Sequence, residues 1–254
     1  IKPIMGAEID SRPAGDSRRN GRSAVFLARN RAGYSELCRI VTARHIDEGF
    51  DLLEAICSAS NDLVVLIGER SLFQQARARG HRARLYFEVR PTGDTPHNIE
   101  SAAALQAARR RAEVARWARR EMVPVVATND VHFSSPHLYR VHQVLRAIHA
   151  NSSIQSLPPD HFCPPEAWLK PAERMRTDLG AQDANEEVRW LAQSATDNAG
   201  QVAADCLLEL ELGKVRFPSF PVPPRETAAT YLRTLATTEP RQNTARSQVW
   251  CGLA

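Results

Sequence analysis

The sequence has few of the features that indicate a disulfide scaffold, a zinc ribbon or a nucleotide-binding loop. Its five cysteines are spread singly along the chain, without a Cys-x-x-Cys pair, at positions 38, 57, 163, 206 and 251. Reduced cytoplasmic thiols are the simplest interpretation. No GxxxxGKS/T or GxGxxG loop is present, and no Ser-His-Asp or Cys-His spacing indicates a nucleophilic triad. No apolar run approaches the roughly 18 residues of a membrane span.

Composition and charge are compatible with an ordinary folded α/β protein. The chain has 254 residues, 43% of them hydrophobic, and a formal net charge of +4. This length allows one large α/β domain or two smaller ones. Much of the positive charge falls on an alanine-rich stretch predicted to be helical, at Arg109, Arg110, Arg111, Arg116, Arg119 and Arg120. These arginines occupy several helix faces, which favours a solvated surface over a nucleic-acid patch.

The most informative stretch is PVVATNDVHF at residues 124–133. A short apolar, β-branched run of this kind predicts a buried strand, and the carboxyl ends of such strands line the sites of α/β proteins. If the chain stays extended past the strand, Asp130 and His132 lie on the same side of it. A carboxylate and an imidazole so placed can bind one metal ion. The alternative is that Asp130 caps a turn and His132 is a surface residue.

Hydrophobic periodicity predicts alternating strands and helices upstream of this stretch. The predicted order is β-α-α-β-α-β-α-β, at residues 24–28, 32–45, 51–58, 63–67, 71–79, 84–89, 98–122 and 123–128. Alternation of this kind indicates a mostly parallel sheet or barrel. Helices are predicted at 138–150 and 184–205. Prolines at 218, 221, 223 and 224 indicate an extended linker.

Seven stretches, in the same order, resemble the PHP (polymerase and histidinol phosphatase) domain region of the alpha subunit of bacterial DNA polymerase III. They are IKPIMGAE (1–8), FLARNRAGYSELC (26–38), RLYFEV (84–89), PVVATNDVHF (124–133), PEAWLKPAERM (165–175), NAGQVAADC (198–206), and FPSFPVP (217–223) with YLRTL (231–235). This ordered set is far more specific than any one motif. The family carries an early His-x-His and an Asp-His before the first of these stretches and the polymerase palm after the last. We therefore expect the chain to be a fragment of a longer polypeptide.

The resemblance implies an α/β fold: an incomplete, distorted (β/α)7 PHP barrel, followed by a helical region and a proline-rich linker. The implied parts are an N-terminally truncated PHP domain (1–150), its helical end and junction (151–215), and a linker with the start of the polymerase region and a divergent tail (216–254). An incomplete barrel would expose a strand edge beside the strand that begins near Ile4, together with apolar side chains.

The resemblance also implies a multi-metal phosphoesterase centre, of which only part is present. Glu8, Asp130 and His132 match family ligand positions. Ser23 and Thr92 stand where active members have histidines. His97 could supply the ligand missing at Thr92 only if its loop were re-routed. We therefore expect a degenerate metal site, with residual zinc or manganese binding at most and no catalytic residue of its own. We interpret His142 as a packing or capping residue and Cys206 as a core residue.

Three functions are compatible with these patterns. The first is part of a DNA polymerase III alpha subunit, a DNA-directed DNA polymerase that uses magnesium, with DNA and other replisome subunits as partners and no membrane. The second is a stand-alone PHP-type metal-dependent phosphoesterase. The third is a non-catalytic scaffold domain. The segment from residue 165 to residue 235 favours the first, because free-standing phosphatases lack it.

Overall fold

The structure is a computed structural model that describes residues 2–11, 22–91, 101–210, 213–214 and 221–238, without the side chains of residues 101–105, 160 and 238. The chain divides into two compact units, Ile1–Leu210 and Glu211–Ala254. The first unit holds the sheet and most of the helices. The second contains one described helix, α8 (Ala228–Thr238). The predicted part boundaries after residues 150 and 215 remain predictions.

The first unit is built on a five-stranded sheet. Its strands follow the order of the chain, β1-β2-β3-β4-β5. They are β1 (Gly6–Asp10), β2 (Ser23–Ala28), β3 (Leu63–Ile67), β4 (Arg84–Val89) and β5 (Val125–Ala127). The predicted strands were placed correctly to within two residues at their ends. The first begins at Gly6 rather than near Ile4.

The prediction of a mostly parallel sheet was wrong for half of the pairings. β3 pairs with β4 and β4 with β5 in parallel, but β1 with β2 and β2 with β3 are antiparallel. Strand direction depends on the connections between strands and on their register, for example Gly6 of β1 opposite Leu27 of β2. Hydrophobic alternation encodes neither the connections nor the register. The α/β class is confirmed. In the described part of the chain the sheet has five strands, and a complete seven-stranded barrel is not seen.

Four helices connect the strands and cover one face of the sheet. They are α1 (Arg31–Ile46), α2 (Leu52–Ser58), α3 (Arg70–Arg79) and α4 (Ser101–Arg120). All four were predicted, although the fourth ends two residues earlier than expected, and its predicted cap, Asn98, lies outside the described residues. The buried rings of Phe73, Phe87 and Trp117 meet edge to face, with centroids 4.9–5.9 Å apart. Aromatic contacts of this geometry fix α3 and α4 against β4.

The charged residues of α4 agree with the prediction of a solvated helix face. Five of its six arginines between positions 109 and 120 are exposed, and Arg111 is half-buried. Arg111 donates a hydrogen bond to the carbonyl of Pro91. The arginines therefore serve as a polar outer surface for a helix whose inner face holds Ala115, Trp117 and Ala118.

A later helix, α7 (Glu186–Asp205), covers the edge of the sheet at β5. The Asn198 side-chain amide donates a hydrogen bond to the Val125 carbonyl at 2.7 Å. This contact satisfies a backbone group on an edge strand that would otherwise be open to pairing. Beyond the end of α7, Cys206 is buried beside Val126 and Val202 on the sheet face opposite α1–α4. The prediction that Cys206 packs in a core is confirmed.

Two further helices, α5 (Tyr139–His149) and α6 (Ala172–Asp178), lie between β5 and α7. The predicted helices at 138–150 and 184–205 agree with α5 and α7 to within two residues. The linker prolines are only partly described: residues 221–223 form no regular helix, and position 218 lies outside the described ranges. No helix among the described residues is long and apolar enough to cross a membrane.

Candidate functional site at the end of strand β5

Asp130 and His132 lie together just beyond β5, as the sequence predicted. His132 Nε2 is 3.4 Å from Asp130 Oδ1, and both side chains are partly exposed. The chain does not simply stay extended, because Asp130 has a φ of 44°. Asp is one of the few non-glycine residues that adopt this left-handed conformation readily. The proximity of the two side chains therefore comes from a turn at Asp130 rather than from strand alternation.

Asp130 shares a cation with a second carboxylate that sequence reasoning missed, Glu88 at the end of β4. The Arg90 guanidinium lies 3.0 Å from Glu88 Oε2 and 3.3 Å from Asp130 Oδ2. The Glu88 side chain is only 8% exposed, and its other oxygen accepts a hydrogen bond from the Thr128 hydroxyl at 2.5 Å. We call Glu88 and Asp130 the acidic pair. A single side-chain cation thus bridges this pair at the strand ends and offsets half of its negative charge.

Glu8, the third predicted ligand, is at the other side of the sheet. It lies on β1, opposite Val25 of β2, and is exposed. Four strand-to-strand steps, each about 4.8 Å along the sheet, separate β1 from β5. Ser23 pairs with Asp10 at the same side of the sheet as Glu8. Thr92 and His97 lie outside the described residues. The structure thus brings together two of the three predicted ligands, and Glu8 as a ligand remains a prediction.

His132 also belongs to a different group of side chains, all of types that can bind a metal ion. Within the described ranges, one cluster of three such residues has all its ligand atoms within 4.8 Å of one another: His132, His142 and Cys163. The His132 and His142 ring centroids are 5.6 Å apart. The three residues come from the loop after β5, from α5 and from the loop before residue 165. Their separations of 10 and 21 positions match no short ligand motif, so spacing gave no indication of the cluster.

The His142 ring packs against neighbouring rings, which agrees with the predicted packing role. Its ring contacts those of Phe133 and Tyr139, with centroids 6.0 and 6.3 Å away. Its Nε2 accepts a hydrogen bond from the Cys163 backbone N–H at 3.2 Å. Burial, together with the nearby Cys163 side chain, raises the pKa of the Tyr139 hydroxyl. These groups lie in a partly dehydrated contact between α5 and the chain around residue 163.

The site loop is joined along its length to the segment at residues 166–170. The buried Asn129 amide donates to the carbonyls of Glu166 and Trp168, at 3.0 and 2.7 Å. The His132 N–H donates to the Ala167 carbonyl at 2.8 Å, and the Leu169 N–H to the Phe133 carbonyl at 3.0 Å. Two segments more than 30 positions apart therefore form one backbone-paired unit, which contains both the VATNDVHF and the EAWLKP stretches.

Lys170 anchors the far end of this unit. Its side chain is completely buried, and Nζ lies 2.7 Å from Asp178 Oδ2 and 3.1 Å from Glu166 Oε2. Arg174 also contacts Asp178, at 2.8 Å. Burial alone would raise the pKa of the Asp178 carboxyl, but the hydrogen bonds and positive charges of Lys170 and Arg174 outweigh it and lower that pKa below 3.8. The Lys-x-x-x-Arg spacing of this stretch thus supplies both cations of an ion-pair network that is centred on the buried Lys170.

Comparison with known proteins agrees with the family indicated by the motifs. The chain is 27% identical over 92% of its length to a DNA polymerase III subunit alpha of Deinococcus radiodurans, of which it covers 19%. It is 27% identical over 87% of its length to the Caulobacter vibrioides subunit, of which it covers 20%. The chain is homologous to DNA polymerase III alpha subunits. An error-prone DNA polymerase of Mycolicibacterium paratuberculosis is 26% identical over 95% of the chain.

The similarity extends through the backbone-paired unit and beyond it, because the aligned part covers about nine-tenths of the chain. The chain spans about a fifth of the length of the alpha subunits it matches. No protein-family model matches the chain.

Proposed function

We propose that this chain is the PHP-domain portion of a DNA polymerase III alpha-type enzyme, and that it serves as a structural platform for DNA-templated DNA synthesis. The observation that carries this proposal is similarity to DNA polymerases along 87–95% of the chain. Magnesium-dependent nucleotidyl transfer would be carried out by other parts of the polypeptide. DNA and other replisome subunits would be the partners of the whole enzyme.

The backbone-paired unit favours this function over a stand-alone phosphoesterase. Residues 166–170 lie in the segment 165–235, which by the resemblance polymerase alpha subunits carry and free-standing PHP phosphatases lack. In this fold the stretch is hydrogen-bonded to the site loop through Asn129, His132 and Phe133. A polymerase-type element is therefore part of the packing around the site rather than an appendage to it.

The site itself fits a multi-metal hydrolytic centre poorly. Two-metal centres use carboxylates to bridge and hold cations that activate water. Here the acidic pair already holds the Arg90 guanidinium, at 3.0 and 3.3 Å. Glu8 lies on the opposite edge strand. Ser23 and Thr92 also stand in place of two histidines that the resemblance implies as ligands, which supports a degenerate site and no hydrolytic activity of its own.

The proposal can be tested on the natural polypeptide. An antibody raised against this chain would be used to immunopurify the protein from its source cells, and the eluate would be assayed for extension of a primed template with Mg²⁺ and deoxynucleotides. We expect the eluate to contain a polypeptide several times longer than the chain and to extend the primer. Adding the free chain during purification should abolish this activity, because it competes for the antibody. A polypeptide no longer than the chain, without extension activity, would contradict the proposal.

A further inference from the structure

We propose that His132, His142 and Cys163 form a single-ion zinc site that ties α5 and the residue-163 loop to the end of β5. The ligands of this site do not include the acidic pair, although Asp130 contacts one of them, and the site does not depend on the polymerase function proposed above. Its starting point is geometric: one nitrogen or sulfur atom from each residue lies within 4.8 Å of the others.

The ligand set selects the kind of ion. Two imidazoles and a thiolate are borderline-to-soft donors, which favour zinc over magnesium or manganese. Zinc–nitrogen and zinc–sulfur bonds are about 2.0–2.3 Å long, so ligand atoms at most 4.8 Å apart need only small side-chain movements to surround one ion. Three protein ligands leave a fourth tetrahedral position for water.

The surroundings of the cluster fit a metal-binding histidine. Asp130 Oδ1 lies 3.4 Å from His132 Nε2. A carboxylate partner of this kind commonly orients a ligating imidazole and increases its basicity. Zinc bound through Nδ1 of His132 would leave the pairing with Asp130 in place. In this arrangement Asp130 positions a ligand and is not itself one.

Zinc binding has one local cost, which involves His142. Its Nε2 now accepts a hydrogen bond from the Cys163 N–H at 3.2 Å, and that bond has to break if the ion binds through Nε2. One hydrogen bond between neutral groups is much weaker than bonds from a thiolate and two imidazoles to zinc. The existing bond also holds the His142 ring beside Cys163, so the ligands are already gathered before an ion arrives.

Cobalt(II) provides the direct test, because it occupies zinc sites and reports its ligands by absorption. The reduced, metal-free 254-residue chain would be titrated with Co²⁺ and then with Zn²⁺. We expect one Co²⁺ per chain, with tetrahedral visible bands and a thiolate-to-cobalt charge-transfer band, both removed by one equivalent of Zn²⁺. Cys163→Ser should lose the charge-transfer band. Cys206→Ser, which changes an equally buried cysteine elsewhere in the core, should keep it.

Either of two results would overturn the site: no charge-transfer band in the unchanged chain at saturating Co²⁺, or an undiminished band in Cys163→Ser. Alkylation of the unchanged chain, read by mass spectrometry, makes the test independent of how the variants fold. Zn²⁺ should protect Cys163 from alkylation and leave the exposed Cys38 unprotected. Because Cys163 is buried, the reaction time is chosen so that the metal-free chain is labelled there, and equal labelling with Zn²⁺ would also exclude the site. Primer extension has no part in these measurements, so their failure leaves the proposed polymerase function untouched.

Discussion

The buried Lys170 ammonium gives the sharpest test of how the polymerase-type segment is held. Lys170→Met keeps most of the side-chain volume and removes the charge that Asp178 and Glu166 share. Removing one partner of a buried pair generally costs about 3–5 kcal/mol, because the other charge stays buried and unpaired. The lower end applies here, since Arg174 still contacts Asp178 at 2.8 Å and the Glu166 side chain is 44% exposed.

We therefore expect Lys170→Met to lower the free energy of unfolding by about 3 kcal/mol. At roughly 2–4 °C per kcal/mol for a domain of this size, the melting temperature should fall by about 6–12 °C. Arg119→Met is the matched control, because it removes a cation from the exposed pair with Glu186 at 3.2 Å. Exposed pairs contribute about 1 kcal/mol or less. Urea and thermal unfolding followed by circular dichroism would compare the two variants.

The pH dependence adds a second check on the same network. The Asp178 pKa is lower in the folded chain than its ordinary value of 3.8, so the folded state binds fewer protons than the unfolded state in that range. Its contribution is complete above 3.8 and is lost as the pH falls through the lower folded value. The difference in free energy of unfolding between the unchanged chain and Lys170→Met should therefore shrink as the pH falls below 3.8. Equal losses in Lys170→Met and Arg119→Met at neutral pH would refute the buried-network argument.

Four further substitutions test other parts of the fold. Gly33→Ala should lower the free energy of unfolding by about 1–3 kcal/mol through overpacking, because a Cβ there would lie 2.1 Å from the Asp62 carbonyl oxygen. Gly200→Ala should instead stabilise α7 by about 0.5–1 kcal/mol, because a Cβ there would have nothing within 4 Å. Urea unfolding would measure both changes. Asn129→Ala should cost about 1–3 kcal/mol and speed hydrogen exchange in residues 166–169, since two backbone carbonyls lose their donor; unchanged exchange there would contradict the pairing. Arg90→Met should increase Mn²⁺ affinity in calorimetry, because the acidic pair loses its cation, and unchanged affinity would argue against that role of Arg90.

The elements that the sequence predicted well are those with a strong local pattern. The LVVLI run of β3 is buried at every position, and α1 begins where Asn30 accepts a hydrogen bond from the Gly33 N–H. Caps and apolar runs act over a few residues, so they can be identified from sequence. Strand direction was mispredicted for β2, because direction is set by long-range pairing with β1 and β3.

The site was predicted in part for the same reason. Asp130 and His132 are two positions apart, and they directly follow an apolar run that predicts a strand. The Arg90 bridge across the acidic pair depends on β4 and β5 lying side by side. The His132–His142–Cys163 cluster depends on the docking of α5 and the residue-163 loop. Neither arrangement has a spacing that could have indicated it, because tertiary contacts between distant segments produce both.

Metal-dependent phosphoester hydrolysis by the purified 254-residue chain tests the central claim most directly. The chain and its His132→Ala variant would be incubated with a phosphomonoester and with single-stranded DNA, in the presence of Mn²⁺ or Zn²⁺. Arg90 already pairs with the acidic pair, and Glu8 lies on the opposite edge strand. The expected rate is therefore that of the buffer and metal alone, and it should be the same for both proteins. Metal-stimulated hydrolysis that disappears in His132→Ala would contradict the degenerate site and support a phosphoesterase.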